Sequence, residues 1–256
     1  MIEIFSVVII SVWYEFPEDA DSFAVEGAHM VGDALLVHPV SKSGSERELV
    51  YFPGNNQRWF DIHTNEEITS HGGVNVPVIY DHIPGATLDL HFLKRCSVNN
   101  DQLFSHVIAV YQRGGTIIPK KERVRRSSAL MRHDPYTLVV ALDKSGRATG
   151  TLYIDDGISF EYQTASKRLY MQFSYADGKL TGHQLETPSY ETRSWLEKVI
   201  VIGLESNPSA ASGTATLKTP TAEVQKLQTK FDAKRKELVI RKPGVNMADE
   251  WEIDLA

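Results

Sequence analysis

Apolar residues recur along this chain in short runs, and their spacing is typical of β-strands rather than of long helices. In the back half, residues that favour turns separate seven such runs. These runs span residues 138–142, 150–154, 159–162, 169–175, 196–202, 238–241 and 251–255. Many short strands with turns between them are typical of a β-sandwich, so the pattern predicts an all-β unit from residue 135 onward.

The front part shows two kinds of strand pattern. Residues 13–19 and 34–40 predict short strands, and the second is continuously apolar at its start, as in a parallel strand buried on both faces. From residue 41 to residue 84 the pattern alternates instead. It predicts strands at 49–52, 58–62 and 74–78, with a turn at 53–56. Trp59 lies in one of these strands, and a place in the core is favoured over a sugar-stacking platform.

The junction between these two parts is an Arg-Gly-Gly sequence at Arg113, Gly114 and Gly115. Val110 and Tyr111 predict a strand before it, and the β-branched residues 116–118 predict another strand after it. Paired glycines permit a positive φ or a close approach of the backbone. A strand corner with a packed arginine is therefore favoured over a ligand site.

Five segments together resemble the glycoside hydrolases of family 31, the α-glucosidase group. They are residues 30–40, 110–119, 123–128, 134–142 and 241–246. The resemblance runs from residue 13 to residue 84 and from residue 110 to residue 255. The segment between these two stretches has no counterpart in the family.

The resemblance implies a mainly β fold in which two β-sandwich domains follow the last two strands of an incomplete (β/α)8 barrel. Residues 1–40 would be the remnant of the catalytic barrel, and residues 41–119 the proximal C-terminal sandwich with an insertion at 85–109. Residues 120–256 would be the distal C-terminal sandwich. The insertion contains Cys96, the only cysteine. It is interpreted either as an ordered strand and helix or as translated intron or a lineage-specific loop.

The resemblance also implies a function. The parent reaction is the retaining hydrolysis of terminal α-linked glucose, in N-glycan trimming and carbohydrate metabolism in the lumen of the endoplasmic reticulum. The family's catalytic aspartates lie on earlier barrel strands and have no match here, so no catalytic residue is predicted. No cofactor-binding or metal-binding residue is predicted either. The implied partners are the catalytic barrel of the parent enzyme, a β subunit of that enzyme and its glycan substrate.

Asp155 and Asp156, followed by Gly157, form the most conspicuous pair of carboxylates. Glycosidases need two carboxyl groups that face each other about 5 to 9.5 Å apart, whereas neighbours in an extended chain point to opposite faces. Asp-Gly between β-rich runs favours a hairpin turn, with calcium binding as the alternative. His63 with Glu66 and His71 are isolated and show no convincing metal spacing.

Composition narrows the remaining possibilities. The net charge is −6 over 256 residues, which argues against nucleic-acid or anionic-membrane partners, and a single cysteine excludes an internal disulfide. The basic run at 120–126 is interpreted as a solvated linker face. The apolar run at 4–12 is too short to cross a bilayer, and a buried strand is favoured over a signal segment.

Two alternatives to the supporting domains of a glucosidase stay open at this point. One is a carbohydrate-binding β-sandwich protein that acts alone without catalysis. The other is a truncated, non-functional gene product. Because the chain lacks the family's catalytic aspartates, it is expected to be inactive alone, both as supporting domains and under these alternatives.

Overall fold

The computed structural model shows that the chain is mainly β, as the sequence predicts. It describes residues 9–40, 45, 47–77, 109–187, 189–208, 213–220 and 224–255. The predicted insertion at 85–109, with Cys96, therefore lies outside the described residues except for Ala109, which begins a strand. Contacts between Cα atoms divide the chain into two compact units, Met1–Gly114 and Gly115–Ala256.

The first unit is built on a sheet whose described strands all pair antiparallel with their neighbours. Its strands are β1 (Ile9–Ser11), β2 (His29–Val31), β3 (Leu35–His38), β5 (Trp59–Asp61), β6 (Glu67–Ile68) and β8 (Ala109–Arg113), and β4 (Arg47–Phe52) pairs separately with β7 (Gly72–Pro77). Within the described residues the order in the sheet is β1-β2-β3-β8-β5-β6. The strand β3 is thus an interior strand with partners on both sides.

Two predictions for the front of the chain are wrong. The strand β3 was expected to be parallel, but it pairs antiparallel with β2 and with β8, and its burial alternates along the strand. The segment 13–19 was expected to be a strand, but α1 (Val12–Glu15) occupies its start, and a 3₁₀ turn follows at Ala20–Ala24. Local apolar content does not distinguish a short helical turn from a strand, because both can bury one side chain in this position.

The core of the first unit contains several aromatic side chains. The ring of Phe52 meets Tyr111 edge-on at 4.7 Å between centroids and lies 6.3 Å from the ring of Trp59. Trp59 is 1% exposed, and its indole N–H donates to the carbonyl of Pro53 over 3.1 Å. The prediction that Trp59 is a core residue is confirmed.

The second unit is a ring of strands. They are β9 (Thr116–Lys120), β10 (Tyr136–Ala141), β11 (Ala148–Ile154), β12 (Leu169–Ala176), β13 (Lys179–Gln184), β14 (Leu196–Ile202), β15 (Thr214–Lys218), β16 (Gln225–Asp232), β17 (Glu237–Arg241) and β18 (Trp251–Asp254). Within the described part, the order β10-β14-β17-β16-β15-β18-β13-β12-β11-β9 returns to β10 through the β9–β10 pair. The strands expected to form a sandwich therefore join in one hydrogen-bonded closed barrel.

Six of the seven strands predicted for this unit are present, namely β10, β11, β12, β14, β17 and β18. The prediction of a strand at 159–162 is wrong, because α2 (Glu161–Thr164) and the loop before it occupy that segment. Sequence reasoning missed β13, β15 and β16, which are rich in lysine, threonine and glutamine. A polar strand in a closed ring is stabilised by backbone pairing on both edges, so it needs little apolar content of its own.

Candidate functional site

Arg113 is a structural residue of the first unit. Its Nε donates to Gln57 Oε1 over 3.0 Å, its Nη1 donates to Glu15 Oε1 over 2.9 Å, and its guanidinium lies 4.8 Å from the ring centroid of Phe16. An arginine that forms an ion pair, a hydrogen bond to an amide and a contact with an aromatic face stabilises the local structure. The packed-arginine interpretation of the corner is confirmed, and Gly115 adopts the expected positive φ, at 93°.

Asp155 and Asp156 are both acceptors within one turn. The amide of Gly157 donates to Asp155 Oδ1 over 2.7 Å. The amides of Ile158 and Ser159 both donate to Asp156 Oδ1, and the Ser159 hydroxyl donates to Asp156 Oδ2 over 2.6 Å. The Ser159 hydroxyl, followed by the two amides, lowers the pKa of Asp156 to about 2. A carboxylate held ionised in this way organises a turn and is poorly suited to donate a proton.

The turn belongs to the connection between β11 and β12, which pair antiparallel up to Ile154 and Leu169. The hairpin that the Asp-Gly sequence favours is therefore present, but its loop runs from residue 155 to residue 168 and contains α2. Gly157 has a φ of 64°, as expected for the turn glycine. The described residues contain no group of three or more His, Cys, Asp or Glu side chains that could hold a metal ion.

The basic run at 120–126 is more ordered than a solvated face. Lys121 donates to the carbonyls of Met131 and Arg132 over 2.8 and 2.9 Å. Arg125 forms two hydrogen bonds with Asp134, at 2.7 and 2.9 Å, and the same pair lowers the pKa of Asp134. Lys121 is partly buried and departs from the predicted solvated linker face, whereas Arg125 is exposed and agrees with it. The charges of both residues fix the chain before β10.

Sequence reasoning missed an exposed apolar surface on the first unit. We call it the Trp13 patch, and it consists of Ile9, Trp13, Tyr14 and Phe23, which are 67%, 43%, 66% and 62% exposed. Trp13 stacks on Phe23 with 6.0 Å between ring centroids and 15° between ring planes. Neighbouring exposed aromatic side chains are typical of an interaction surface. The sequence predicts a strand at 13–19, whereas the exposed face depends on the helical turn α1.

Residues 6–118 match the glycosyl hydrolase family 31 C-terminal domain. This stretch of the chain is thus a C-terminal domain of glycoside hydrolase family 31, which confirms the resemblance read from the sequence. Among curated proteins it is similar to neutral alpha-glucosidase AB of Sus scrofa, with 34% identity over 249 residues, 97% of this chain and 23% of that protein. The Homo sapiens protein of the same name is 36% identical over 244 residues, 95% of this chain and 23% of that protein.

A solved structure shows the same fold over nearly the whole chain. It is the crystal structure of the ER glucosidase II heterodimeric complex, consisting of catalytic subunit and the binding domain of regulatory subunit. The match has a TM-score of 0.79 and 22% identity, and it covers 97% of this chain and 25% of the other. The chain therefore spans about a quarter of the length of the relatives that it matches.

The helices of the described part are short. None of them is long and apolar enough to cross a membrane.

Proposed function

We propose that this chain supplies the C-terminal supporting domains of a family 31 α-glucosidase whose parent reaction is the hydrolysis of terminal α-linked glucose during N-glycan trimming. The relatives support this proposal, since the chain aligns with 23% of neutral alpha-glucosidase AB and carries the C-terminal domain of the family. By the same likeness, the setting is the lumen of the endoplasmic reticulum. The proposed partners are the catalytic barrel, a glucosidase II β subunit and the glycan substrate.

The domain assignment is part of the proposal. Residues 1–40 would derive from the end of the barrel, 41–119 from the proximal sandwich and 120–256 from the distal one. The strand β3 of the first segment pairs with β8 of the second, so these two segments share one sheet. We expect the front segment to serve as the structural link through which the barrel and the proximal sandwich are joined.

The observation that carries the proposal is the Trp13 patch. Its four side chains include three aromatic rings that are between 43% and 66% exposed. Large exposed aromatic side chains dominate the energetics of protein–protein contacts when a partner covers them. The patch lies within the segment that matches the family domain, so the part of a glucosidase that precedes this segment is the proposed partner.

The experiment is a reconstitution. The chain is mixed with the part of human neutral alpha-glucosidase AB that precedes the matched region, and turnover of a chromogenic α-glucoside is measured. We expect no turnover from the chain alone and turnover from the mixture. The double variant Trp13→Ala/Phe23→Ala should lose association and activity, whereas Phe160→Ala, an aromatic residue of the second unit that is 72% exposed, should keep both.

Two results would contradict the proposal. One is turnover by the chain alone that persists after repurification. The other is a folded mixture in which the patch variant associates as tightly as the unaltered chain.

A further inference from the structure

The second unit contains an open cleft of about 370 Å³ whose lining is both polar and apolar. Residues 189–192 form one wall of this cleft, and Asn246, Ala248 and Asp249 form the other. In the sequence, the first wall comes after β13 and the second comes after β17, so two distant segments of the chain form the cleft. We call this feature the Tyr190 cleft, and none of the roles discussed above involves it.

Hydrogen bonds within and between the two walls fix their backbone. Asn246 Nδ2 donates to the carbonyl of Thr192 over 2.9 Å, and Asn246 Oδ1 accepts from the amide of Ala248 over 2.9 Å. The amide of Met247 donates to the carbonyl of Ser194 over 3.0 Å. Gln184 Nε2 also donates to the carbonyl of Ala248, over 2.6 Å. Walls that are already ordered lower the entropic cost of binding a ligand.

Three polar groups at the cleft are left available for a ligand. The described residues provide no protein partner for the hydroxyl of Tyr190 or for the carboxylates of Glu191 and Asp249. The ring of Tyr190 is half-buried against the barrel core, so its position is fixed while its polar end can bind. Glu191 and Asp249 are exposed on opposite walls.

The lining chemistry restricts the class of ligand. Two carboxylates without any lysine, arginine or histidine in the lining disfavour anions such as phosphates. The lining is about equally polar and apolar, which does not suit a wholly apolar molecule. Two carboxylates also fall short of the six to eight oxygens that calcium usually takes. Carboxylates, hydroxyls and a tyrosine ring suit a neutral ligand with many hydroxyl groups and an apolar ring face.

We propose that the Tyr190 cleft binds a neutral carbohydrate unit of about the size of one hexose. The carboxylates of Glu191 and Asp249 accept hydrogen bonds from sugar hydroxyls, and the ring of Tyr190 contacts the C–H face of the sugar. This proposal does not depend on the proposed glucosidase function, since the cleft shares no residue with the Trp13 patch that carries that function.

The test is a titration of the ¹⁵N-labelled full chain with D-glucose and with maltotriose, followed by NMR. We expect saturable shifts of the amides of Tyr190, Glu191 and Ala248. Asp249→Ala should weaken binding about tenfold, because a hydrogen bond to a charged group is worth roughly that factor in affinity. Tyr190→Phe should weaken binding less than Tyr190→Ala does, since it keeps the ring. Glu205→Ala removes an exposed carboxylate outside the cleft and should bind as the unaltered chain does.

The same spectra show whether each variant is folded, so loss of binding and loss of fold are distinguished. The absence of saturable shifts with both sugars overturns the proposal. So does an equal loss of binding in Asp249→Ala and Glu205→Ala. Methylammonium and calcium chloride are titrated separately, and cleft shifts with either of these but not with sugar would assign the site to cations instead.

Discussion

At the scale of single residues, His38 and Glu48 form a largely buried ionisable pair in the first unit. His38 ends β3 with 8% of its surface exposed, and its Nε2 lies 3.8 Å from Glu48 Oε2 on β4. Neither His38 Nδ1 nor Glu48 Oε1 has a hydrogen-bond partner among the described residues. Burial lowers the pKa of His38 below its ordinary value of 6.5, and the carboxylate of Glu48 opposes this shift without cancelling it.

The lowered pKa of His38 predicts acid sensitivity. The unfolded chain binds a proton at this histidine near pH 6.5 and the folded chain only at lower pH, so the free energy of unfolding falls as the pH drops below 6.5. The contribution is complete above that pH and is lost as the pH falls toward the folded pKa. Urea unfolding between about pH 7.5 and 5 measures it, since this interval contains the histidine titration.

A pair of variants isolates the effect. His38→Gln should flatten the fall in unfolding free energy, whereas His133→Gln, an exposed histidine of the second unit, should leave it unchanged. If acid instead stabilised the chain and His38→Gln removed that gain, the pair with Glu48 would outweigh burial and the prediction would be wrong.

At the scale of elements, the closure of the ring in the second unit depends on a close backbone approach. The strands β9 and β11 meet at a parallel bridge between Thr116 and Thr149, and the amide of Thr149 donates to the carbonyl of Gly115 over 3.0 Å. Gly150 is the next residue along β11. A Cβ on Gly150 would overlap the carbonyl oxygen of Ile117, so only glycine fits at this crossing.

Gly150→Ala should therefore weaken the closure of the ring. Alanine in a strand normally stabilises relative to glycine, because it lowers the entropy of the unfolded chain. Here the steric overlap reverses the sign, and we expect a loss of about 1–3 kcal/mol, the usual cost of overpacking. Gly73→Ala on β7 is the control, since its nearest atom would be the flexible end of the Leu49 side chain at 3.2 Å. Equal unfolding free energies for Gly150→Ala and the unaltered chain would contradict the prediction.

At the scale of the whole molecule, each compact unit has its own core. In the first unit, Met30 of β2 and Leu36 of β3 are both 0% exposed and pack in the cluster that contains Trp59. The expected barrel remnant is therefore an integral part of the first unit, because its strands β2 and β3 lie in the interior of the sheet. In the second unit, 26 of the described residues, from all around the ring, form one buried core.

We therefore expect that removal of residues 1–40 unfolds the whole first unit and does not leave the rest of it folded. Burying a side chain such as Met30 or Leu36 stabilises by about 1.5–3 kcal/mol each, and a few such losses approach the whole stability of a domain. Calorimetry of residues 41–256 should show the unfolding transition of the second unit alone. Hydrogen exchange of the full chain should show that the amides of β3 are protected, and fast exchange there with a stable β8 would refute this assignment.

Much of the fold is visible in the sequence, where local pattern and local physics agree. The strand β12 alternates buried and partly exposed residues along its whole length. This period of two residues is typical of a β-strand. The Asp-Gly turn, the Arg-Gly-Gly corner and the buried Trp59 could also be predicted, since each depends on neighbours in sequence. The family resemblance, which depends on residue identity, was likewise contained in the sequence.

The tertiary structure alone decided which strands are neighbours. Periodicity shows that a strand buries one face, but it does not show the partner, which for β3 is the distant β8. Nor does it show that polar strands such as β16 complete a ring, since their backbone pairing rather than their side chains holds them. The Trp13 patch and the Tyr190 cleft depend on the same contacts, because exposure and the meeting of distant segments exist only once the chain has folded.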